Sequence, residues 1–356
     1  MTEKRILFTG GGTAGHVIVN LALIPHFQKE GWKINYIGSK QGIERNLIEA
    51  LPDITYYPIS TGKLRRYMSL ENFKDPFKVL KGTIDAWNII RKTKPNIIFS
   101  KGGFVSVPVV VAARFRRVPT IIHESDYTPG LANKLATPFA KKVLTTFPET
   151  ISHLPDNKAI HVGAVIREDL FTGDKNRGFK LTNLTERKPI ILIMGGSIGS
   201  KKINDMVRQN LAALLEKYQL IHICGQNNID STITDKGYVQ FEYLNEELKD
   251  IFAITDYVIS RAGANAIFEF LALDLPMLLI PLSLAASRGD QIDNANSFKE
   301  SGFAHVLHEE DLNPERFLEA VIRLEKAAPV LRDRLKTYAS EKSREQVIQI
   351  IEEMAK

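Results

Sequence analysis

A glycine loop that ends in a histidine carries the first chemistry in this chain. Thr9-Gly10-Gly11-Gly12-Thr13-Ala14-Gly15-His16 follows a short apolar run, Ile6-Leu7-Phe8, and precedes a helix-like stretch that starts at Val17. Taken as Gly10-x-Gly12-x-x-Gly15, it fits the dinucleotide fingerprint, in which glycines let backbone amides approach a pyrophosphate at a helix N-terminus. A dinucleotide loop has no need of the histidine. The fingerprint also wants an acidic residue about 20 positions on, at the end of the second strand, to hold the ribose. Here Gly38-Ser39-Lys40 follows the apolar run at Ile34 to Ile37, with no carboxylate. An NADP-linked reductase using Lys40 remains the weaker reading.

Similar loops recur. Ser100-Lys101-Gly102-Gly103-Phe104 and Gly195-Gly196-Ser197-Ile198-Gly199-Ser200 each follow an apolar run and precede a helical pattern. Such turns offer backbone-amide concavities at the carboxyl ends of strands, where open α/β sheets bind ligands. The plainer reading is that tight turns between strand and helix need glycine. His123-Glu124-Ser125-Asp126 brings titratable groups to another strand end, and Arg261-Ala262-Gly263-Ala264 leads into a helix carrying Glu269.

The elements that must position these loops are short β-rich runs alternating with helical patterns, which predicts parallel sheets covered by helices on both faces. Expected strands in the first half are Arg5 to Thr9, Lys33 to Ile37, Thr55 to Ile59, Asn96 to Ser100, Thr120 to His123 and Lys142 to Thr145. A second series is expected at Ile190 to Met194, Leu220 to Cys224, Val239 to Tyr243, Tyr257 to Ser260 and Met277 to Ile280. Ile203, Val207, Leu211 and Leu214 fall on one helical face, a core-facing stripe. Between the two series, His161 to Arg167 and the polar stretch from Thr172 to Lys188 read as a domain connection with its flanking loop. The domains expected are 1–163, 164–340 and a C-terminal helix at 341–356 that packs back on the first domain.

Composition agrees with an ordinary soluble-type architecture. The chain has 356 residues, 44% hydrophobic and 25% charged, enough for about two domains with their own cores. Its one cysteine, Cys224, excludes an internal disulfide and a thiol-rich metal site, suits a reducing cytoplasm, and reads as a buried packing residue. No N-terminal signal and no run of roughly 18 apolar residues is visible. A net charge of +6 favours anionic partners such as phosphates, nucleotides or acidic lipid. Nucleic acid is not expected, because no zinc spacing, aromatic RNP-type strand or block of more than three basic residues occurs.

Taken together, Gly11-Gly12-Thr13-Ala14-Gly15-His16, His123-Glu124-Ser125-Asp126 with Pro129-Gly130-Leu131-Ala132-Asn133, Gly195-Gly196-Ser197-Ile198-Gly199, and Arg261-Ala262-Gly263-Ala264 with Glu269 closely resemble the MurG family. These are peripheral membrane glycosyltransferases of peptidoglycan synthesis, and the resemblance covers essentially the whole chain. It implies a GT-B fold, with two Rossmann-like domains facing each other across a cleft. It also implies an inverting transfer of N-acetylglucosamine from UDP-N-acetylglucosamine to the C4 hydroxyl of lipid I, giving lipid II. Neighbouring possibilities are a GT-B-like UDP-N-acetylglucosamine 2-epimerase and, more remotely, the NADP reductase.

Such a transfer needs a base for the hydroxyl proton and positive character for the leaving diphosphate. His16 suits the first task, because the positive end of the following helix disfavours protonating it; the alternative is a hydrogen bond to the loop or to a sugar hydroxyl. Glu124 is the second catalytic candidate; it or Asp126 could serve as base or orienter. The resemblance matches Thr13, Ala14, Gly15, Arg167, Ser197, Ala264, Glu269 and Gln291 to the nucleotide sugar, with Glu269 on the ribose and Gln291 on a sugar hydroxyl. It leaves Gly11, Gly12, Gly102, Gly103, Asp126 and Asn133 for the acceptor. The chain departs from many relatives at Ala14, where they have glycine, and at Asp126, where they have asparagine. A carboxylate at 126 would repel a diphosphate.

No Asp-x-Asp pair occurs, so no tightly bound metal or cofactor is expected, although Mg2+ could assist by pairing with the diphosphate. Phe73, Phe77 and Leu80 with interleaved lysines, and Leu64 within a basic stretch, form the pattern of an amphipathic helix at an anionic membrane surface. A helix packed on its own domain shows the same spacing; the polyprenyl acceptor favours the membrane. Peripheral attachment on the cytoplasmic side follows, with cell wall synthesis or division proteins as further partners.

Overall fold

The computed structural model describes residues 3–62, 75–196, 199–338 and 342–356. The chain forms two units, Met1–Arg167 with Glu341–Lys356, and Glu168–Ser340. The expected positions Leu64, Phe73 and Ser197 lie outside the described residues, as does the side chain of Ala14.

The first unit is built on seven parallel strands: β1 (Arg5–Thr9), β2 (Lys33–Ser39), β3 (Ile54–Ile59), β4 (Ile97–Ser100), β5 (Thr120–Glu124), β6 (Lys142–Thr145) and β7 (Ala159–His161). Their spatial order is β3-β2-β1-β4-β5-β6-β7. Connecting helices are α1 (Ile18–Lys29), α2 (Ile43–Glu49), α3 (Asp75–Thr93), α4 (Ser106–Phe115) and α5 (Leu131–Ala136). Central strands of this kind are covered on both faces and so read as continuous apolar runs, as Ile97-Ile98-Phe99 does. Alternate residues feed two cores: Ile6, Phe8 and Phe99 pack with Leu23 and Phe27 of α1, whereas Leu7 and Ile98 pack with Val109 and Ala113 of α4.

The second unit has six parallel strands: β8 (Ile190–Met194), β9 (Gln219–Ile223), β10 (Tyr238–Phe241), β11 (Tyr257–Ser260), β12 (Met277–Leu279) and β13 (Ala304–Val306), in the order β10-β9-β8-β11-β12-β13. Its helices are α6 (Lys175–Thr182), α7 (Lys201–Gln209), α8 (Leu211–Lys217), α9 (Leu248–Ala253), α10 (Ala264–Ala272), α11 (Asp290–Glu300) and α12 (Pro314–Leu335). The stripe of Ile203, Val207, Leu211 and Leu214 is buried, but the helix carrying it breaks at Asn210 into α7 and α8. Cys224 is buried and unoxidised.

The last helix, α13 (Ser343–Met354), belongs to the first unit. Val347, Ile348 and Ile351 enter the core around Phe8 and Phe27, and the His26 Nε2 and Glu352 Oε1 atoms stand 3.1 Å apart.

Two sequence expectations need correction. The polar stretch at 172–188 contains a helix, α6, and is not merely a loop. Asp174 caps it by accepting from the amides of Asn176 and Arg177. Arg177 then makes a bidentate pair with Asp250, at 2.9 Å for both contacts, which fixes a helix that has little apolar surface. The strands β7 and β13 went unseen, because three-residue edge strands leave almost no periodic signal.

Candidate active site

In each unit the strand order reverses once, and such switch points open a crevice beyond the carboxyl ends of the strands. In the first unit the reversal falls between β1 and β4, which are hydrogen-bonded neighbours. The loops leaving those two strands are the Gly10 to His16 loop and the Lys101 to Phe104 loop. They touch. Gly103 has φ +81°, and a Cβ there would stand 2.2 Å from the Gly11 carbonyl oxygen and 3.1 Å from Cδ2 of His16. Only glycine lets the second loop pass the first so closely. His16 itself closes a short 3-10 turn, Ala14–His16, its amide donating to the Thr13 carbonyl at 3.1 Å.

A carboxylate that sequence reasoning missed shapes this loop. Glu44, buried at the start of α2, accepts from the Gly12 amide (3.1 Å), the Ser39 amide (2.9 Å) and the Ser39 hydroxyl (2.5 Å). Gly11 lies against the same carboxylate, where a Cβ would sit 2.4 Å from Cδ of Glu44. The Gly12 amide expected to face an acceptor is therefore bonded to a buried carboxylate. No local pattern announced this, because the partners are 32 residues apart.

The third strand end supplies Glu124. Its carboxylate is buried and accepts three hydrogen bonds, from the Asp126 amide (3.0 Å), the Gly130 amide (2.8 Å) and the Asn133 side-chain amide (2.8 Å). Asn133 also donates to the His123 carbonyl at 3.3 Å, and its Oδ1 lies against Gly102, 2.7 Å from where a Cβ would be. The pair locks the loop between β5 and α5 to the glycine loop after β4. Asp126 is half-buried on that loop. His16, Gly11, Gly12, Gly102, Gly103, Glu124 and Asn133 thus gather at the carboxyl ends of β1, β4 and β5. His123 is fully buried beside them, held well below its ordinary pKa by desolvation and then by the charge of Lys101.

In the second unit the reversal falls between β8 and β11, which are also neighbours. The Gly195 to Ser200 loop leaves β8, and Arg261 to Ala264 leaves β11. Gly199 has φ +80°, with its Cα pressed on the Cys224 carbonyl, only 2.0 Å from a would-be Cβ. Ser200 caps α7, its hydroxyl accepting from the Ile203 amide at 3.4 Å. The Arg261 guanidinium, missed as a site residue from sequence, ties both loops together. It donates to the Ser200 hydroxyl at 2.7 Å and to the carbonyls of Ile280 and Pro281, and pairs with Glu309 at 2.5 Å. Ala264 opens α10 and is buried, as is Glu269 one and a half turns on. Gln291, in the first turn of α11, accepts from the Leu282 amide at 3.1 Å. Thr13, Gly15 and Arg167 belong to the first unit, Arg167 being its last residue before Glu168.

Among the described residues, no group of three or more His, Cys, Asp or Glu side chains is placed to hold a metal ion.

Models of the glycosyltransferase family 28 N-terminal domain and C-terminal domain match residues 6–145 and 190–354. The chain is 65% identical over 354 residues to the UDP-N-acetylglucosamine--N-acetylmuramyl-(pentapeptide) pyrophosphoryl-undecaprenol N-acetylglucosamine transferase of Oceanobacillus iheyensis, covering 99% of each chain. The chain belongs to the MurG family. The Staphylococcus aureus member is 55% identical over 342 residues, covering 96% of both chains. The crystal structure of Acinetobacter baumannii MurG shares the GT-B fold, with a TM-score of 0.76 at 23% identity, covering 98% of this chain and 99% of that one. The motifs that carried the MurG resemblance are the segments lining both switch points, together with the end of β5.

Proposed function

We infer that the chain transfers N-acetylglucosamine from UDP-N-acetylglucosamine to lipid I, with inversion at the sugar C1 carbon. The observation that carries this reading is full-length identity to named MurG transferases joined to switch-point loops of matching motif in both units. The acceptor C4 oxygen attacks C1, the bond from C1 to the diphosphate oxygen breaks, and UDP departs with the electron pair. His16 takes the hydroxyl proton. The Gly195 to Ser200 loop, at the N-terminus of α7, supports the departing diphosphate with amides and helix dipole, joined by Arg167 and Ser197. Thr13, Ala14 and Gly15 contact the donor sugar, Glu269 accepts from the ribose hydroxyls, and Gln291 and Ala264 complete the donor site. Gly11, Gly102, Gly103, Asp126 and Asn133 form the acceptor side. Glu124, held by three N–H donors, orients that side.

Release of UDP tests this reading. Incubated with UDP-N-acetylglucosamine and a lipid I analogue, the protein should release free UDP only when acceptor is present. UDP-N-acetylmannosamine would instead mark an epimerase, and consumption of NADPH alone a reductase.

The acceptor is a polyprenyl lipid, and no helix among the described residues is long and apolar enough to cross a membrane. We assign the membrane contact to α3. Gly82, Ala86 and Ile90 on one side of it are buried, while Phe77 (75% exposed), Leu80 (60%) and Ile84 (55%) face outward. Lys78 and Lys81 lie among them, the arrangement of a helix resting in an anionic interface. Phe77 and Leu80 are thus not consumed by packing on their own unit, and Ile84 extends the row. Replacing both Phe77 and Leu80 by glutamate should weaken binding to phosphatidylglycerol vesicles by at least about tenfold, given roughly 1.5–3 kcal/mol for each large apolar side chain buried. Co-sedimentation reads this, with UDP-N-acetylglucosamine affinity as the control. Unchanged sedimentation would remove α3 from the contact.

A further inference from the structure

Glu44 stands behind the loop that carries His16, and its two carboxylate oxygens engage different segments of the first unit. Oε1 accepts from the amide and the hydroxyl of Ser39 at the end of β2, and Oε2 accepts from the Gly12 amide in the loop after β1. Ser39 is itself pinned to the sheet, its carbonyl accepting from the Tyr56 hydroxyl at 2.6 Å. The Glu44 side chain is fully buried, and a Cβ on Gly11 or Gly42 would collide with its carboxylate, so it has no room to turn. A carboxylate taken out of water in this way is tolerated only where donors surround it. Here the three donors are two amides and a hydroxyl, and none is a cation.

The loop is held at a second point. The Gly10 carbonyl accepts from the Tyr36 hydroxyl at 2.8 Å, and Asn20 of α1 donates to that hydroxyl at 3.1 Å. Gly12 has φ +92°, a backbone state that favours glycine, and the Phe104 ring occupies the place its Cβ would take. His16 comes four residues later, and its carbonyl packs back against Gly10. The backbone leading to the imidazole is thus gripped at Gly10 by Tyr36 and at Gly12 by Glu44.

We propose that Glu44 is a positioning residue for the transfer: by holding the Gly12 amide it sets the course of the Gly10 to His16 loop, and so the aim of the His16 imidazole at the acceptor hydroxyl. This rests on the base assignment made under Proposed function. Glutamine has nearly the same shape but a single acceptor oxygen. It can serve Ser39 or Gly12, and must turn its NH2 group toward the other amide.

A double-mutant cycle in the full chain tests the proposal, with E44Q, H16A and E44Q/H16A assayed by UDP release from UDP-N-acetylglucosamine and a water-soluble lipid I analogue. E44Q should lower kcat about tenfold or more in the parent background, but less than about twofold in the H16A background, where no imidazole is left to aim. The donor KM should stay within about threefold in every variant. Rates are taken well below each variant's melting temperature, so that a loss of stability alone leaves kcat unchanged. If E44Q fails to fold, E44D, which keeps the charge but draws it back by one methylene, enters the same cycle with the same expectation. An unchanged kcat for E44Q, or an equal factor in both backgrounds, would overturn the proposal. An H16A chain that keeps the parent kcat would sink the base assignment and the proposal with it, so the two failures are read from different variants.

Discussion

Replacing His16 by alanine should lower kcat by roughly 100-fold or more, the range for a lost general base, while the Kd for UDP-N-acetylglucosamine stays within about twofold. The expectation comes from where the ring stands. His16 ends the glycine loop after β1, and its imidazole edge meets Gly103 of the loop after β4, which puts it at the switch point between those strands. His16 is only part-buried, so removing the ring deletes a functional group without opening an apolar core. A 100-fold loss corresponds to about 2.7 kcal/mol of transition-state stabilisation. Single-turnover rates and isothermal titration with the donor separate the two quantities. An unchanged kcat would exclude His16 as the base, and a parallel loss of donor affinity would make it a structural residue of the loop.

Glu124→Gln should produce the opposite signature. The native carboxylate collects three N–H donors in a buried place, and a glutamine amide must turn an NH2 group toward at least one of them. Leaving a buried donor unsatisfied and losing a charge-assisted acceptor costs about 2–4 kcal/mol. For a unit of this size that lowers the first thermal transition by roughly 5–10 °C. Well below that transition, kcat should remain within about tenfold of the parent value, because an orienting group is relaxed and no proton acceptor is removed. Differential scanning calorimetry and initial rates decide the matter. A melting temperature that does not move, combined with a 100-fold fall in kcat, would return Glu124 to the role of base.

These two residues mark how far the sequence could be read. The apolar runs at Ile6 to Phe8, Ile97 to Phe99 and Ile190 to Ile193 were visible as strands because buried parallel strands need no polar alternation. The loops that follow them were visible because glycine is required where one backbone crosses another, as at Gly103 and Gly199. What escaped was long-range polar bonding. Glu44 reaches back across 32 residues to the Gly12 amide, Asn133 closes on Glu124, and Arg261 joins Ser200 to Glu309; each pairing exists only once the sheet has formed. Lys101 follows an apolar run, but residue type alone does not disclose that it is buried. The polar helix α6 escaped for a related reason, since it is held by the Arg177 and Asp250 pair and not by an apolar stripe.

The return of α13 to the first unit has a consequence for how the molecule is made. A chain emerging from the ribosome can lay down all seven strands of that unit before the second unit exists. The side of the core around Phe8 and Phe27 must still wait for Val347, Ile348 and Ile351, which follow the whole second unit in the chain. Until then an apolar surface stays uncovered, next to the strands that carry His16 and Lys101. Completion of the first unit is therefore tied to synthesis of the second, and a nascent chain that stops short of α13 lacks the helix that seals it.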